Sequence, residues 1–206
     1  MAKLHFFYGA MGSGKSLDLI RANHNYRERG MNTIVLKSEL DTREGTTECI
    51  ISSRAGDMKV AGEFIPSSSE EYQSFIKKLL KNLKNPKNPK IHAIFIDEAQ
   101  FLSKNQVEDF YQVVHNLKIP VLCYGLKNNF KAELFEGSKR LLELADDFQE
   151  IRSICHCGKR TKQNARVING KIVKDGEEVV IGNNDEQNDI YYVSLCNDCY
   201  FRGKIR

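Results

Sequence analysis

Apolar and polar positions change their spacing several times along the chain, and each change predicts an element. Residues 3–8 (KLHFFY) form a short apolar run, read as a buried first strand. After the glycine-rich GAMGSGKS, Leu17, Ile20, His24 and Arg27 fall at helical spacing, and Gly30 supplies a stop. On that stripe His24 reads as a packed helix residue rather than a ligand. Residues 32–38 (NTIVLKS), dense in β-branched side chains, predict a second strand. Residues 39–66 hold a polar DTREGT and two short candidate strands, ECIIS and GEFIP. The clearest helix follows, with Tyr72, Phe75, Ile76, Leu79, Leu80 and Leu83 at i, i+3 and i+4 spacing. Serines at 67–69 precede it, Glu70 and Glu71 occupy its first turn, and KNPKNPK ends it as a solvated connection.

Residues 91–101 (IHAIFIDEAQF) open with a continuous apolar run, the pattern of a central strand buried on both faces. Val107, Phe110, Tyr111, Val114 and Leu117 mark another helix, and residues 119–126 (IPVLCYGL) a fourth strand. Leu141, Leu142, Ala145 and Phe148 mark a further helix. Strands alternating with helices predict an α/β fold, a mainly parallel sheet covered by helices with right-handed connections. Beyond about residue 151 the texture changes to short strand-like pieces, ARVING, EVVIG and IYYVSLC, lying between two cysteine pairs. The expected organisation is an α/β domain over residues 1–150 and a small second domain over 151–206.

Composition narrows this picture. The chain has 206 residues, 41% of them hydrophobic, enough for one sizeable core with an appendage. Its net charge of +4 is too small to argue for a nucleic-acid partner. No apolar run is long enough to span a membrane, and the start lacks the long apolar stretch of a signal peptide. A cytoplasmic protein is expected. In that compartment six cysteines do not predict a disulfide framework, and four of them crowd into the last quarter, where metal is the better expectation.

Gly9-Ala10-Met11-Gly12-Ser13-Gly14-Lys15-Ser16 fits G-x-x-x-x-G-K-[ST], after a strand and before a helix. Glycines let backbone N–H groups turn inward around phosphate oxygens, and the helix N-terminus adds positive potential. Lys15 is expected to reach the β and γ phosphates of ATP, and Ser16 to ligate Mg²⁺. Asp97, at the end of an apolar strand, is placed where α/β sheets carry their ligands and is expected to bind Mg²⁺ through water. Glu98 beside it is positioned to take a proton from an attacking oxygen, of water in a hydrolase or of a hydroxyl in a kinase. These motifs predict phosphate transfer and leave the acceptor open.

Several stretches together resemble the thymidine kinases of the type that includes the human cytosolic enzyme. They are the phosphate loop, Asp41-Thr42-Arg43 after the second strand, Asp97-Glu98-Ala99-Gln100-Phe101, GLKNNF (residues 125–130) trailed by Phe135 and Gly137, the cysteine pairs, Ile181-Gly182, and YVSLCNDC (residues 192–199). The resemblance covers nearly the whole chain in order. It implies an ATP-dependent thymidine kinase that phosphorylates the 5′-hydroxyl of thymidine to dTMP, built as a P-loop core with a zinc-binding lasso domain. It implies that Glu98 is the general base, that Arg43 offsets charge at the transferring phosphoryl group, and that Asp41 and Gln100 belong to the nucleotide-binding set. Met11, Phe101, Leu126, Phe130, Phe135 and Tyr192 match residues that enclose the nucleoside; a core role is the alternative for Phe101 and Leu126, whose placement just after strand ends favours the site. Ile181 and Gly182 match a lasso that closes over the base. A homotetramer and feedback inhibition by dTTP are also implied, with no nucleic-acid or membrane partner.

Cys196-x-x-Cys199 has zinc-knuckle spacing. The first pair, Cys155-His156-Cys157, is one residue shorter than the family's usual pattern. Structural Zn²⁺ on Cys155, Cys157, Cys196 and Cys199 is the expectation, with His156 as an alternative to one thiolate. Asn164 stands where the family often has threonine, two residues before Arg166. A rival class remains at this point, an ATP-driven nucleic-acid-binding protein with a zinc module. Against it, no basic stripe with interleaved aromatics occurs, and the leucines of KKLLKNLKNPKNPK fit a helix face with the lysines outward.

Overall fold

The computed structural model describes residues 1–41, 45, 47–53, 55–176 and 190–206. In chain order they form β1 (Leu4–Tyr8), α1 (Lys15–Glu28), β2 (Asn32–Ser38), β3 (Ile50–Ser52), β4 (Lys59–Ala61), β5 (Glu63–Ile65) and α2 (Ser69–Lys84). Next come β6 (Ile91–Asp97), a single 3₁₀ turn (Ala99–Phe101), α3 (Lys104–Leu117), β7 (Val121–Gly125), α4 (Glu136–Leu144) and β8 (Asp147–Glu150). The chain closes with β9 (Gln163–Ile168), β10 (Lys171–Val173), β11 (Ile190–Leu195) and α5 (Asn197–Phe201).

Six strands make one sheet in the order β5-β2-β6-β7-β1-β8, and every pairing in it is parallel. The apolar run of β6 lies inside this sheet because both of its faces are covered. Ile94 and Ile96 pack with Leu4, Phe6 and Leu36 under α2, α3 and α4. Ala93 and Phe95 face the other way, with Val35 and Tyr124, under Leu19 and Ile20 of α1 and Ile51 of the β3–β4 hairpin. The α/β fold with a covered parallel sheet is thus the one that forms.

Local signals account for the helices on the first face. Ser68 caps α2, its hydroxyl accepting from the Glu71 N–H at 3.3 Å and donating to the Glu71 carboxylate at 2.8 Å, an arrangement that contributes about 1 kcal/mol. At the start of α3 Ser103 and Gln106 form a full reciprocal box, the Ser103 hydroxyl accepting from the Gln106 N–H at 3.3 Å and Gln106 Oε1 from the Ser103 N–H at 3.0 Å. The Tyr72 hydroxyl, 3.1 Å from the Asp109 carboxylate, ties α2 to α3.

Two expectations need correction. The buried stripe of α1 runs through Leu19, Ile20 and Asn23, while His24 and Arg27 are exposed. Asn23 is held inward by the Thr33 hydroxyl at 2.6 Å, and exposed His24 pairs with Glu28 at 3.1 Å. Phe148 is not helical. The helix stops at Leu144, and the chain turns into β8, an edge strand parallel to β1, with Phe148 57% exposed. The Asp146 carboxylate fixes that turn by accepting from the Leu4 N–H at 2.8 Å.

A second, three-stranded antiparallel sheet has the order β10-β9-β11. Its core is small, Ala165 and Leu195 beside Tyr200 and three of the four clustered cysteines. The EVVIG piece lies outside the described residues, and β10 is a strand the apolar pattern did not predict. The two sheets touch through polar contacts. Glu150 of β8 takes ion pairs from Arg160 and, at 3.0 Å, from Lys162, and the Tyr200 hydroxyl donates to the Phe130 carbonyl at 2.6 Å.

Candidate active site

The carboxyl ends of β1, β2, β6 and β7 place the predicted residues along one edge of the parallel sheet. Gly12 and Gly14 take left-handed φ values of 70° and 88°, which the loop needs to turn into α1. A Cβ on Gly9 would stand 2.5 Å from the Ile151 carbonyl, so only glycine fits there. Lys15 is buried and curls back over the loop, its Nζ donating to the Ala10 carbonyl at 2.9 Å.

The Ser16 hydroxyl donates to Asp97 Oδ2 at 3.0 Å, joining the phosphate loop to the end of β6. Asp97 is 3% exposed, and its other oxygen, Oδ1, is buried without a hydrogen-bond partner among the described residues. Burial first, and then the neighbouring Glu98, raise its pKa to about 7. A buried carboxylate oxygen lacking a donor, beside a hydroxyl and a phosphate loop, fits a divalent cation such as Mg²⁺.

Glu98 is buried and adopts a left-handed backbone, φ 50°, at the start of the 3₁₀ turn. Gln100 holds its side chain, with Nε2 2.5 Å from Glu98 Oε2. Gln100 Oε1 in turn accepts from the Leu126 N–H at 2.9 Å, so β6 and β7 are tied together across the site. Asp41 pairs with Lys37 at 2.9 Å, both buried. Lys37 is the register partner of Asp97 on the adjacent strand. It was not among the sequence candidates, although a lysine ending an apolar strand four residues before Asp41 is a legible signal.

The sulfur atoms of Cys155, Cys157, Cys196 and Cys199 lie within 4.8 Å of one another, with Cys157 and Cys196 3.6 Å apart. Tetrahedral zinc, with bonds of about 2.3 Å, needs sulfurs roughly 3.8 Å apart, so this donor set fits a structural zinc ion. The short Cys155-x-Cys157 turn closes because Gly158 takes a φ of 83° and donates to the Cys155 carbonyl at 2.8 Å. His156 is exposed and outside the cluster.

A family model for thymidine kinase matches residues 2–200. The chain belongs to the thymidine kinase family. The thymidine kinase of Zymomonas mobilis subsp. mobilis is 45% identical over 197 residues, covering 95% of this chain and 94% of its own length. The thymidine kinase of Haemophilus influenzae (strain ATCC 51907) is 42% identical over 199 residues, with 95% and 94% covered. Among solved structures, the Pif1 helicase of Candida albicans aligns over 73% of this chain and 36% of its own, at 14% identity and a TM-score of 0.41, too weak a likeness to bear on function.

Of the residues that the thymidine kinase family suggests for the nucleoside, Phe101 follows β6, Leu126, Phe130 and Phe135 follow β7, and Tyr192 lies on β11. Phe101 and Phe135 meet edge to face, centroids 5.8 Å apart. Phe130 is 2% exposed, with the Arg166 guanidinium 3.7 Å from its ring centroid. The Arg166 Nε donates to the Tyr192 hydroxyl at 2.9 Å, so one buried cation joins two of these aromatics. Leu126 is half-buried beside Gln100. Arg43, Ile181 and Gly182 lie outside the described residues. Arg166 and Asn164, both buried on β9, carry contacts at this site that the sequence signalled only by their position in the family pattern.

Proposed function

We propose that this protein transfers the γ-phosphoryl group of ATP to the 5′-hydroxyl of thymidine, giving dTMP. The observation that carries the chemistry is the Ser16 hydroxyl bonded to Asp97 with buried Glu98 next to it in the chain, supported by family membership over almost the whole chain. Lys15 is already desolvated against a carbonyl oxygen, the acceptor that a phosphate oxygen would replace. Ser16 and Asp97 would hold Mg²⁺, which neutralises phosphate charge when bound. Glu98, oriented by Gln100, accepts the proton of the attacking hydroxyl. Arg43 offsets charge at the transferring group, with Asp41 and Gln100 supporting nucleotide binding. Met11, Phe101, Leu126, Phe130, Phe135 and Tyr192, with Ile181 and Gly182, enclose the nucleoside, and the four cysteines hold zinc.

Residues 1–150 serve as the ATP-binding domain and 151–206 as the lasso domain. A homotetramer, inhibition by dTTP and a cytoplasmic location are further parts of this proposal, supported by the family resemblance. No helix among the described residues is long and apolar enough to cross a membrane.

The test is ADP release from the purified protein with ATP and Mg²⁺, given thymidine, deoxycytidine, single-stranded DNA or no acceptor. Release driven by thymidine is the expected result. Release driven by DNA with thymidine inert would replace the kinase with a nucleic-acid-dependent ATPase.

A further inference from the structure

The main chain of Met11, in the middle of the phosphate loop, is gripped from outside the loop. Its N–H donates to Asn164 Oδ1 at 2.7 Å, and its carbonyl accepts from the Ser194 hydroxyl at 2.6 Å. Asn164 on β9 and Ser194 on β11 are cross-strand partners, so both contacts come from one point of the three-stranded sheet. Asn164 is 4% exposed, and its amide nitrogen donates to the Asn128 carbonyl at 3.1 Å in the segment after β7. One side chain therefore joins the phosphate loop, the β7 segment and the second sheet.

The grip matters because the loop's other bonds converge on Gly9 and Ala10, ahead of Met11: the Gly9 N–H donates to the Gly125 carbonyl at 3.3 Å and the Lys15 Nζ to the Ala10 carbonyl at 2.9 Å. Gly9, Gly12 and Gly14 give it wide conformational freedom. Within it, the Ser13 N–H donates to the Ala10 carbonyl at 3.2 Å. A loop left free would have to be ordered when nucleotide binds, and that entropy would be taken from the affinity.

We propose that Asn164 and Ser194 are positioning residues. They let the cysteine-stapled sheet set the path of the phosphate loop, so that nucleotide affinity and acceptor affinity are coupled. The acceptor half of this inference rests on the thymidine kinase reading, and coupling of two binding sites is reciprocal by linkage. Met11 is the joint, its main chain in the phosphate loop and held by the sheet that also carries Tyr192.

The experiment is calorimetric titration of MgADP, with and without thymidine, into the zinc-loaded wild-type protein and into Ser194→Ala, Ser194→Thr and Asn164→Ala. Zinc content and melting temperature are measured on each. Loss of one of these hydrogen bonds is expected to weaken MgADP roughly five- to tenfold without thymidine. In both alanine variants the ratio of MgADP affinities with and without thymidine is expected to move towards one. Ser194→Thr, which keeps the hydroxyl, is expected to behave as wild type. Alanine variants with full zinc, wild-type MgADP affinity and an unchanged ratio would overturn the proposal. So would a wild-type protein that binds thymidine without any change in MgADP affinity. Should Asn164→Ala lose zinc or melt early, Ser194→Ala decides, since it deletes one atom; loss of zinc there too would assign the pair a structural role and overturn the proposal. If thymidine does not bind wild-type protein at all, the kinase reading fails, while the MgADP arm without thymidine still decides whether the pair positions the loop.

Discussion

Gln100 holds Glu98 in place, with Nε2 2.5 Å from the Glu98 carboxylate while its own Oε1 accepts from the Leu126 N–H. The proposed base is thus aimed by a residue two positions later, and that residue is anchored on the neighbouring strand. Glu98→Gln is expected to bind MgADP as wild type and to lose about 10²- to 10⁴-fold in kcat. Gln100→Leu keeps the base and removes its support, so a smaller loss of about ten- to a hundredfold in kcat is expected. Steady-state kinetics with calorimetry separates the two, and near-normal turnover in Glu98→Gln would remove Glu98 from the mechanism.

Lys15 is a buried cation within the loop, its charge resting against the Ala10 carbonyl. Lys15→Ala removes the charge that would face the β and γ phosphates, so kcat/KM for ATP is expected to fall by at least about a hundredfold. The same variant should keep its thymidine affinity when nucleotide is absent. Unchanged ATP kinetics would dismiss the phosphate-loop assignment.

Asp97 gives the site a pH dependence. Burial and Glu98 raise its pKa to about 7, above the ordinary carboxylate range. The folded, metal-free protein therefore holds a proton there that the unfolded chain has already released. Its contribution to stability is fully present below the unfolded pKa and is lost as pH rises through about 7. The proposed Mg²⁺ would compete with that proton, so Mg²⁺ affinity should rise through the same window. Calorimetry in two buffers of different ionisation enthalpy should show proton release on Mg²⁺ binding at about pH 6.5 and little at about pH 8.5. Asp97→Asn should abolish the release. A wild-type protein that releases no proton at the lower pH would contradict the protonated state.

The parts of this molecule that were legible in the sequence are those where one physical constraint dominates. β6 buries both faces and therefore reads as an unbroken apolar run, while α2 buries one face and reads as a heptad-like stripe between a serine cap and a proline-rich end. The phosphate loop is legible because left-handed turns demand glycine at fixed positions. The edge strand β8 was hidden because only one side of it is paired and Phe148 points to solvent, leaving no periodicity to read. The stripe of α1 was misplaced because a polar residue, Asn23, is buried through its bond to Thr33. Asn164 and Ser194 act through contacts with Met11, more than 150 residues away in the chain, which no local pattern encodes.

The cysteine cluster yields a prediction about thiol chemistry. Removal of metal by a strong chelator is expected to expose four reactive thiols, Cys155, Cys157, Cys196 and Cys199, and to lower the melting temperature. Cys49 and Cys123 are buried in the main core, and burial raises the Cys123 thiol well above its usual range, so these two should react only on global unfolding. Counting thiols with a coloured reagent before and after chelation checks this. Four reactive thiols in the untreated protein would mean that the cluster holds no metal.

Gly137 links packing to the 3₁₀ turn that follows Glu98. It lies in the first turn of α4, and a Cβ added there would stand 2.5 Å from the Leu102 carbonyl oxygen, 2.7 Å from that of Ala99 and 3.0 Å from that of Gln100. All three obstacles are backbone, so no side chain can swing aside. The helix and the 3₁₀ turn carrying Gln100 must separate instead. Gly137→Ala is expected to cost about 1–3 kcal/mol of stability. Because the displaced turn also carries the support of Glu98, kcat should fall by at least about tenfold in the folded fraction. Gly30→Ala is the matched control. Gly30 ends α1 with a left-handed φ of 71° and open space around it, so alanine there should cost about 1 kcal/mol and leave kcat unchanged. Denaturant melts set beside kcat for the two variants decide the point. A Gly137→Ala enzyme that is destabilised and yet turns over at the wild-type rate would show that Glu98 does not depend on the seating of this turn.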